Sequence, residues 1–437
     1  MSYVGRAWRV IQLTRHKMVS PVSINSIERL QEAEQALSLI FSGIDTSVKY
    51  NLKRVLEAFR RHRVGVHHFS GVTGYGHDDL GRETLDQVFA EVMGSEAAAV
   101  RVQFVSGTHA IASALFGVLR PGDEMLAVAG HPYDTLEEVI GLRGEGQGSL
   151  MDFGITYREL PLTEENEIDW EGLKSAVSHR TRLALIQRSC GYSWRSSLSI
   201  SDIEKIVAIV KHQNSNTVCF VDNCYGEFTE DREPPAIGAD LIAGSLIKNP
   251  GGTIVPAGGY VAGRADLVEA ATCRLTAPGI GSSGGATFDQ NRLLFQGLFL
   301  APQMVGEAMK GNHLTAYVFD SLGYPVNPLP MAERHDVIQG IEFGSPEKLI
   351  AFCRAVQQFS PVGSYLDPVP APMPGYESEL VMAGGTFIDG STSEFSADGP
   401  LREPYIAFCQ GGTHWTHVAI ALEAAIDSVG IASSKKG

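Results

Sequence analysis

Lys248 is the residue of this chain whose surroundings most clearly point to chemistry. It lies in the segment GSLIKNPGG, among small and apolar side chains. An amine in such surroundings loses solvent, so its charged form is disfavoured and its pKa is expected to fall. Desolvated lysines are the ones that form Schiff bases with carbonyl compounds. The segment therefore predicts a carbonyl-binding lysine, and the alternative is a lysine at a domain edge that keeps its amine in water.

Two other segments carry groups that could act with this lysine. Asp222 ends the apolar run NTVCFVD, and a carboxylate at the end of a buried strand needs a cationic or hydrogen-bonding partner. Ser106, Gly107 and Thr108 open a predicted helix, where glycine admits a close approach and free amides favour an anion. A structural or capping aspartate and an ordinary helix cap are the alternatives.

Together, the three groups fit one cofactor, pyridoxal 5′-phosphate (PLP). This compound needs an anion site for its phosphate, a carboxylate on its pyridine nitrogen and a lysine for its aldehyde. The helix start comes first in the chain, Asp222 ends a later strand, and Lys248 follows Asp222 by 26 positions. The order and spacing therefore predict a PLP site.

Strands and helices that alternate along the chain predict how these groups are positioned. Apolar strands separated by amphipathic helices are typical of a mainly parallel sheet with helices on both faces, and such sheets bind ligands at the carboxyl ends of their strands. We expect an α/β protein with an N-terminal arm and helices over 1–60, a large PLP-binding domain over 61–300 and a smaller α+β domain over 301–437. The predicted strands that precede the chemical groups are 101–105, 181–187 and 216–223.

Composition excludes several classes of protein. The 437 residues are 44% apolar and carry a formal charge of −15, which excludes general disorder and disfavours nucleic-acid binding. The longest apolar runs are too short to cross a membrane. Six cysteines without a C-x-x-C pair suit a reducing cytoplasm, and the histidine-rich segments HRVGVHH and HWTH match no zinc spacing, so we expect no metal. A basic arm over the first 20 residues is either a targeting segment or, as we expect, a solvated or partner-contacting arm.

At these residues the chain resembles the fold-type I PLP-dependent enzymes. More narrowly, it resembles the cystathionine/methionine γ-lyase group and its methionine γ-lyase-like "aluminium resistance" branch, over residues 25–430. The resemblance implies the PLP-dependent transferase-like fold and a homodimer or homotetramer with active sites at the subunit interface. The segments that carry it are GYGHDDLGRETLD, SGTHAI, PYDTLEEVIG, FVDNCYGEF, GSLIKNPGG and SADGPLREPY.

The resemblance also implies roles for individual residues. Lys248 would hold the PLP aldehyde and move the substrate α-proton, Asp222 would keep the pyridine nitrogen protonated, and Tyr133 would stack on the ring and assist the leaving group. Tyr75 would reach the phosphate of the neighbouring subunit, and Arg402 would clamp the substrate carboxylate. The phosphate would be held by Ser106, Gly107, Thr108 and Ser245, and the rivals of Arg402 are Arg188 and Arg195.

Two departures from the family pattern concern the expected phosphate contacts. Ile247 replaces the hydroxyl residue that relatives carry directly before the lysine. The Tyr-x-Arg pair of those relatives is reduced here to Tyr75, Gly76 and His77. The phosphate contacts are therefore expected to differ in detail.

The function that follows is a cytoplasmic PLP-dependent carbon–sulfur lyase. It would catalyse β- or γ-elimination on a sulfur-containing amino acid, with a small-molecule substrate and no nucleic acid or membrane as partner. One alternative is a PLP enzyme that eliminates or replaces a non-sulfur γ-substituent, a halide or acyloxy group, even towards an unsaturated amino acid. The other is a PLP-binding protein without catalytic activity.

Overall fold

The structure is a computed structural model that describes residues 24–373, 375–391 and 394–434. Its residues form two compact units. The smaller unit comprises the described residues within 1–46, 192–194 and 304–437, and the larger unit comprises 47–191 and 195–303. The predicted domain boundaries after residues 60 and 300 stay a prediction. The basic N-terminal arm lies outside the described residues.

The described ranges contain ten α-helices. Their ends follow the local chemistry of the sequence: Ser199 caps the helix that begins at Ile200, and Gly94 ends another helix in the left-handed conformation. The helices are α1 (Ile24–Arg61), α2 (Leu80–Met93), α3 (Gly107–Val118), α4 (Asp134–Ile140), α5 (Trp170–Ala176), α6 (Ile200–Gln213), α7 (Ala265–Leu275), α8 (Asn291–Ser321), α9 (Pro346–Gln358) and α10 (Trp415–Ser434).

The larger unit is built on a seven-stranded sheet. Its strands are β1 (Ala97–Arg101), β2 (Glu124–Ala127), β3 (Thr156–Glu159), β4 (Thr181–Gln187), β5 (Val218–Asp222), β6 (Leu241–Ser245) and β7 (Gly259–Gly263). They lie in the order β1-β7-β6-β5-β4-β2-β3, and β7 runs antiparallel to both of its neighbours. The other pairings are parallel, which confirms the predicted mainly parallel sheet.

Both faces of this sheet are covered. Successive residues of a strand point to opposite faces, and in β5 the consecutive residues Val218, Cys219, Phe220 and Val221 are all buried. A strand that is apolar along its whole length therefore lies inside the molecule, as the run VCFV predicted. Helices α3 and α7 pack against each other and contribute Ile111, Leu115 and Val268 to one of the cores that cover the sheet.

The strand predicted at 101–105 is displaced in the structure. The observed strand β1 ends at Arg101, and the chain turns before helix α3. The prediction was wrong because it followed the branched and aromatic residues Val102, Phe104 and Val105, whereas β1 is the small-residue run AAAV. Small side chains are suited to this strand because helix α2 packs on it and its partner strand is glycine-flanked.

The smaller unit holds an antiparallel sheet of five strands with helices packed on it. The strands are β8 (Val326–Asn327), β9 (Ile338–Glu342), β10 (Leu380–Ala383), β11 (Ser396–Pro400) and β12 (Ile406–Gln410), in the order β10-β11-β12-β9-β8. Apolar residues of α9 and α10, among them Phe352, Val356 and Leu422, form its core. Across the helices that the structure describes, none has the length and apolar character needed to cross a membrane.

Candidate active site

Three neighbouring parallel strands of the larger unit end at one edge of its sheet. Strands β4, β5 and β6 lie side by side, with Gln187 opposite Asp222 and Asp222 opposite Ala243. The carboxyl ends of parallel strands share one edge of a sheet. The last residues of these strands therefore meet there, and Lys248 follows only three positions after β6 ends.

The turn that carries Lys248 is fixed by its backbone. Lys248 directly precedes a short 3-10 helix over Asn249–Gly251. A Cβ atom on Gly251 would lie 1.8 Å from the Leu246 carbonyl oxygen, so only glycine fits there. The Asn249 side chain donates a 3.0 Å hydrogen bond to the Glu227 carbonyl. The lysine therefore projects from a rigid segment rather than from a flexible loop.

The Lys248 amine lies over an aromatic ring. Its Nζ atom is 3.7 Å from the centroid of the Tyr225 ring, a cation–π geometry, and the side chain keeps a partly exposed surface. Burial disfavours the charge, but Tyr225 and Cys224 outweigh burial and raise the pKa of this amine above its usual value. The expected fall in this pKa is therefore wrong for the free amine. The sequence showed small and apolar neighbours but not that Tyr225 lies beneath the amine.

Asp222 is a buried carboxylate at the end of β5. One of its oxygens accepts a 3.1 Å hydrogen bond from the Cys224 amide. Burial raises the pKa of Asp222, and the Lys248 charge opposes this rise. Among the residues that the structure describes, no lysine or arginine nitrogen lies within 4.0 Å of the Asp222 carboxylate. A cationic ring nitrogen at this position would therefore relieve a buried charge.

The start of helix α3 is held against the end of β6. Ser106 caps the helix, its hydroxyl accepting a 3.1 Å hydrogen bond from the His109 amide. A Cβ atom on Gly107 would lie 3.1 Å from the Cβ of Ser245 and 3.3 Å from the Cys224 sulfur, so glycine permits the close approach. The first amides of a helix have no partner within it, and they attract anions. The predicted phosphate residues Ser106, Gly107 and Ser245 are thus adjacent.

Tyr133 joins the helix start to the end of β4. Its hydroxyl lies 2.7 Å from the Thr108 hydroxyl, and its amide donates a 2.9 Å hydrogen bond to the Gln187 side chain. Burial, reinforced by the Asp222 charge, raises the pKa of Tyr133 far above its usual value, so the hydroxyl keeps its proton at neutral pH. Tyr133 therefore lies within the same group of residues as Thr108 and Asp222.

Several residues of this site were not predicted from the sequence. Tyr225 and Gln187 are the clearest, and the polar Gln187 at the end of a strand was a signal that could have been used. Behind them, the Tyr260 hydroxyl donates a 2.7 Å hydrogen bond to the fully buried Glu227 carboxyl, and burial raises the pKa of that carboxyl to about 8. Both side chains press on Gly244, where a Cβ atom would lie 2.7 Å from the Tyr260 hydroxyl.

Two predicted residues are not part of this cluster in the described chain. The Tyr75 side chain is 85% exposed and stacks on His77, with 5.8 Å between ring centroids; among the described residues, no hydrogen bond or ring contact joins it to Lys248. Arg402 belongs to the smaller unit, where it is exposed in the turn between β11 and β12. Their roles stay predictions.

The rival arginines are engaged in supporting contacts. Arg188 is fully buried and forms ion pairs with Glu230 at 2.9 Å and Glu233 at 3.5 Å. Arg195 donates to the backbone carbonyls of Gln187 and Ser196, at 2.9 and 2.8 Å. Both guanidinium groups hold the protein around the strand ends, which leaves them less suited to clamp a substrate.

The residues at the ends of strands β4, β5 and β6 and at the start of helix α3 are suited to bind PLP. The glycine-permitted approach of helix α3 to Ser245 forms a place for a phosphate, Asp222 is a buried carboxylate without a close cation in the described residues, and Lys248 supplies an amine. For metals, no group of three or more His, Cys, Asp or Glu side chains that could hold an ion occurs within the described ranges. The expectation of a metal-free site stays a prediction.

Comparison with known proteins places the chain in a family. The sequence model of the methionine gamma-lyase family matches residues 26–430. An uncharacterized protein of Bacillus subtilis, YnbB, is 49% identical over 399 residues, which cover 91% of this chain and 95% of the relative. A solved structure from Clostridium novyi NT, described as a carbon-sulfur lyase involved in aluminum resistance, is 44% identical with a TM-score of 0.89, covering 93% of this chain and 96% of that one.

A more distant structure tests the fold alone. The pyridoxal-5′-phosphate dependent protein YhfS of Escherichia coli is 18% identical, with a TM-score of 0.59 over 88% of this chain and 97% of that chain. This likeness confirms the predicted fold type I architecture. With a family match that spans nearly all of the described residues, the chain belongs to the methionine gamma-lyase family.

Proposed function

We propose that this chain is a PLP-dependent carbon–sulfur lyase that catalyses β- or γ-elimination on a sulfur-containing amino acid. The observation that carries the proposal is the meeting of Lys248, Asp222 and the start of helix α3 at one edge of the sheet. Family membership and the resemblance to the Clostridium novyi carbon-sulfur lyase support the reaction class.

The cofactor and its contacts are assigned as follows. Lys248 would hold the PLP aldehyde, and Asp222 would hold the protonated pyridine nitrogen. The phosphate would lie at the start of helix α3, bound by the amides of Gly107 and Thr108 and by the hydroxyl groups of Ser106 and Ser245. When bound, PLP supplies an electron-withdrawing ring that weakens the bonds at the substrate Cα.

The chain's own residues then move protons. Lys248 is the base that takes the substrate Cα proton, since its amine is the basic group at the strand ends. Tyr133 keeps its hydroxyl proton at neutral pH and can donate it to the departing sulfur. The reaction breaks a carbon–sulfur bond, consumes one water molecule and yields a thiol, a 2-oxo acid and ammonia. Arg402 stays our proposal for the residue that binds the substrate carboxylate.

We also propose that the active protein is a homodimer or homotetramer with its active sites at a subunit interface. Tyr75, Val105 and Phe288 are exposed by 85, 82 and 68%, a high value for large apolar side chains. They lie on segments that are tied together, because the Gly285 amide donates to the Tyr75 carbonyl at 2.9 Å and Gln103 donates to the Ala286 carbonyl. Val105 directly precedes the proposed phosphate site, so a second subunit covering this surface would border it.

A cytoplasmic location completes the proposal. All six cysteines of the chain are free thiols in the structure, which suits a reducing compartment.

Purified protein and a panel of amino acids test the proposed reaction. With PLP, the wild type should absorb near about 420 nm and release a thiol and a 2-oxo acid from a sulfur-containing amino acid. Lys248→Ala should lose both the band and turnover, whereas Lys174→Ala, which removes an exposed lysine paired with Glu171, should keep both. Release of halide or of an acyloxy group instead of thiol would move the assignment to the non-sulfur alternative. A bound cofactor without turnover of any amino acid would indicate a non-catalytic PLP protein.

A further inference from the structure

Arg334 in the smaller unit is a buried guanidinium with most of its donors unused. Its residue surface is 4% exposed, and its Nη2 atom donates one hydrogen bond, at 2.7 Å, to the Gln339 side chain. Its Nε and Nη1 atoms are buried and have no partner in the part of the chain that the structure describes. Because a guanidinium carries several N–H donors and cannot accept, these atoms can be satisfied only by an acceptor.

The charge of Arg334 is only partly balanced. Within the described ranges, no carboxylate oxygen lies within 4.0 Å of its nitrogens, and Asp336 acts from a greater distance. Burial lowers the pKa of Arg334 to about 9, so the side chain still carries its charge at pH 7. A buried cation without a close counter-charge is costly, and a bound anion would remove that cost.

The guanidinium is held in a fixed orientation. Gln339 lies on β9 and is fully buried, and its amide nitrogen donates to the carbonyls of Pro328 at 3.1 Å and Gly340 at 2.9 Å. This leaves its side-chain oxygen to hold Arg334. A planar, pre-oriented fork matches a carboxylate, which accepts two parallel N–H bonds.

His313 on helix α8 is close enough to Arg334 to feel its charge, but it supplies no negative charge in return. His313 hydrogen-bonds through Nδ1 to the Pro330 carbonyl at 2.7 Å. Burial, with a further contribution from the Arg334 charge, lowers the pKa of His313 to about 3, so this imidazole is neutral at pH 7.

We propose that Arg334 is the centre of a carboxylate-binding site in the smaller unit. A single cation with a planar fork favours a small, singly charged, planar anion. The ligand we assign is a free small carboxylate, and this assignment does not rest on the proposed function.

Acetate is the probe for this site. The thermal unfolding of the PLP-loaded protein is measured in sodium acetate and in sodium chloride at equal ionic strength, for the wild type, Arg334→Gln and Arg334→Lys. Acetate should raise the melting temperature of the wild type above that in chloride and leave Arg334→Gln unchanged. Arg334→Lys keeps the charge but loses the fork, and it should bind acetate roughly 10- to 100-fold more weakly; it also carries the test if the glutamine variant does not fold.

Arg354→Gln is the matched control. It removes the same charge from the same unit at a partly exposed arginine that donates to the Pro368 carbonyl at 3.1 Å. This variant should respond to acetate as the wild type does. Equal stabilisation of Arg334→Gln by acetate, or no difference between acetate and chloride in the wild type, would overturn the proposal, because the donors of Arg334 would then be met by water alone.

Kinetics gives a second test. Acetate should stabilise the wild type without competing with the amino-acid substrate. Competitive inhibition by acetate that disappears in Arg334→Gln would overturn the assignment of a free carboxylate. Acetate binding is read from unfolding and needs no turnover, so a failure of the proposed lyase activity leaves this measurement intact.

Discussion

Replacing Asp222 with asparagine should separate the stability of the PLP-free protein from its affinity for PLP. Asparagine has nearly the same shape, and its side-chain oxygen can still accept the hydrogen bond from the Cys224 amide. What the substitution removes is a buried negative charge that lacks a cation within 4.0 Å in the described residues. The PLP-free variant is therefore expected to be more stable than the wild type at neutral and higher pH.

The size and pH dependence of this gain follow from the Asp222 pKa. Burial raises this pKa above its unfolded value of about 4, so the fold accepts the protonated form more readily than the charged form. The wild type therefore loses stability as the pH rises from about 4 through the folded-state pKa, by up to about 1.4 kcal/mol per pH unit. Asp222→Asn does not titrate, so its advantage should be small near pH 4 and largest above the folded-state pKa.

Urea unfolding of the PLP-free proteins, measured between pH 5 and pH 9, checks this expectation. The midpoint difference between variant and wild type should grow with pH. Asp169→Asn is the control, since it removes a charge but keeps a capping oxygen for the Gly172 amide. With PLP present the wild type should be the more stable protein, because in the variant the ring nitrogen loses its charged partner and PLP affinity falls roughly 10- to 100-fold. A PLP-free variant less stable than the wild type at pH 8, together with unchanged PLP affinity, would refute the reasoning.

Three further substitutions probe other parts of the structure. Gly251→Ala should lower the free energy of unfolding by about 1–3 kcal/mol or more in denaturant titrations, because the new Cβ would meet the Leu246 carbonyl at 1.8 Å. Tyr133→Phe should keep PLP but lower kcat by about 10²–10⁴-fold in thiol-release assays, because the proposed proton donor is lost; an unchanged kcat would exclude that role. His131→Gln tests a pH effect. Burial lowers the pKa of His131, but hydrogen bonds to two carboxylates, Glu137 and Glu159, outweigh burial and raise this pKa. The histidine therefore stabilises the fold fully below about pH 6.5, and this stabilisation is lost as the pH rises through the folded-state pKa. The melting-temperature difference between wild type and this variant should therefore be larger at pH 6 than at pH 9, and the opposite order would contradict the assignment.

Local chemistry explains which parts of the fold could be predicted. The strand at 181–187 was predicted with its observed bounds. Helix α6 begins at Ile200 and is capped by Ser199, as the serine and the acid in its first turn indicated. Both elements are specified by residues that are close along the chain: the strand by a short apolar run, and the helix start by a serine cap with an acid in the first turn. Strand β1 was misplaced because its alanines have little preference for strands, and only the helix packed on it and its partner strand select them.

Residue types and their order along the chain determined the chemical groups of this protein: an aspartate that ends an apolar strand, a lysine among small residues 26 positions later, and a glycine at a helix start. The parallel sheet follows from the alternation of strands and helices, and a parallel sheet brings strand ends to one edge. Tertiary structure alone decided that the centroid of the Tyr225 ring lies 3.7 Å from the Lys248 amine and that Arg334 is buried with unpaired donors. The physical reason is that desolvation and charge balance depend on which groups meet in space, and a linear pattern does not specify those meetings.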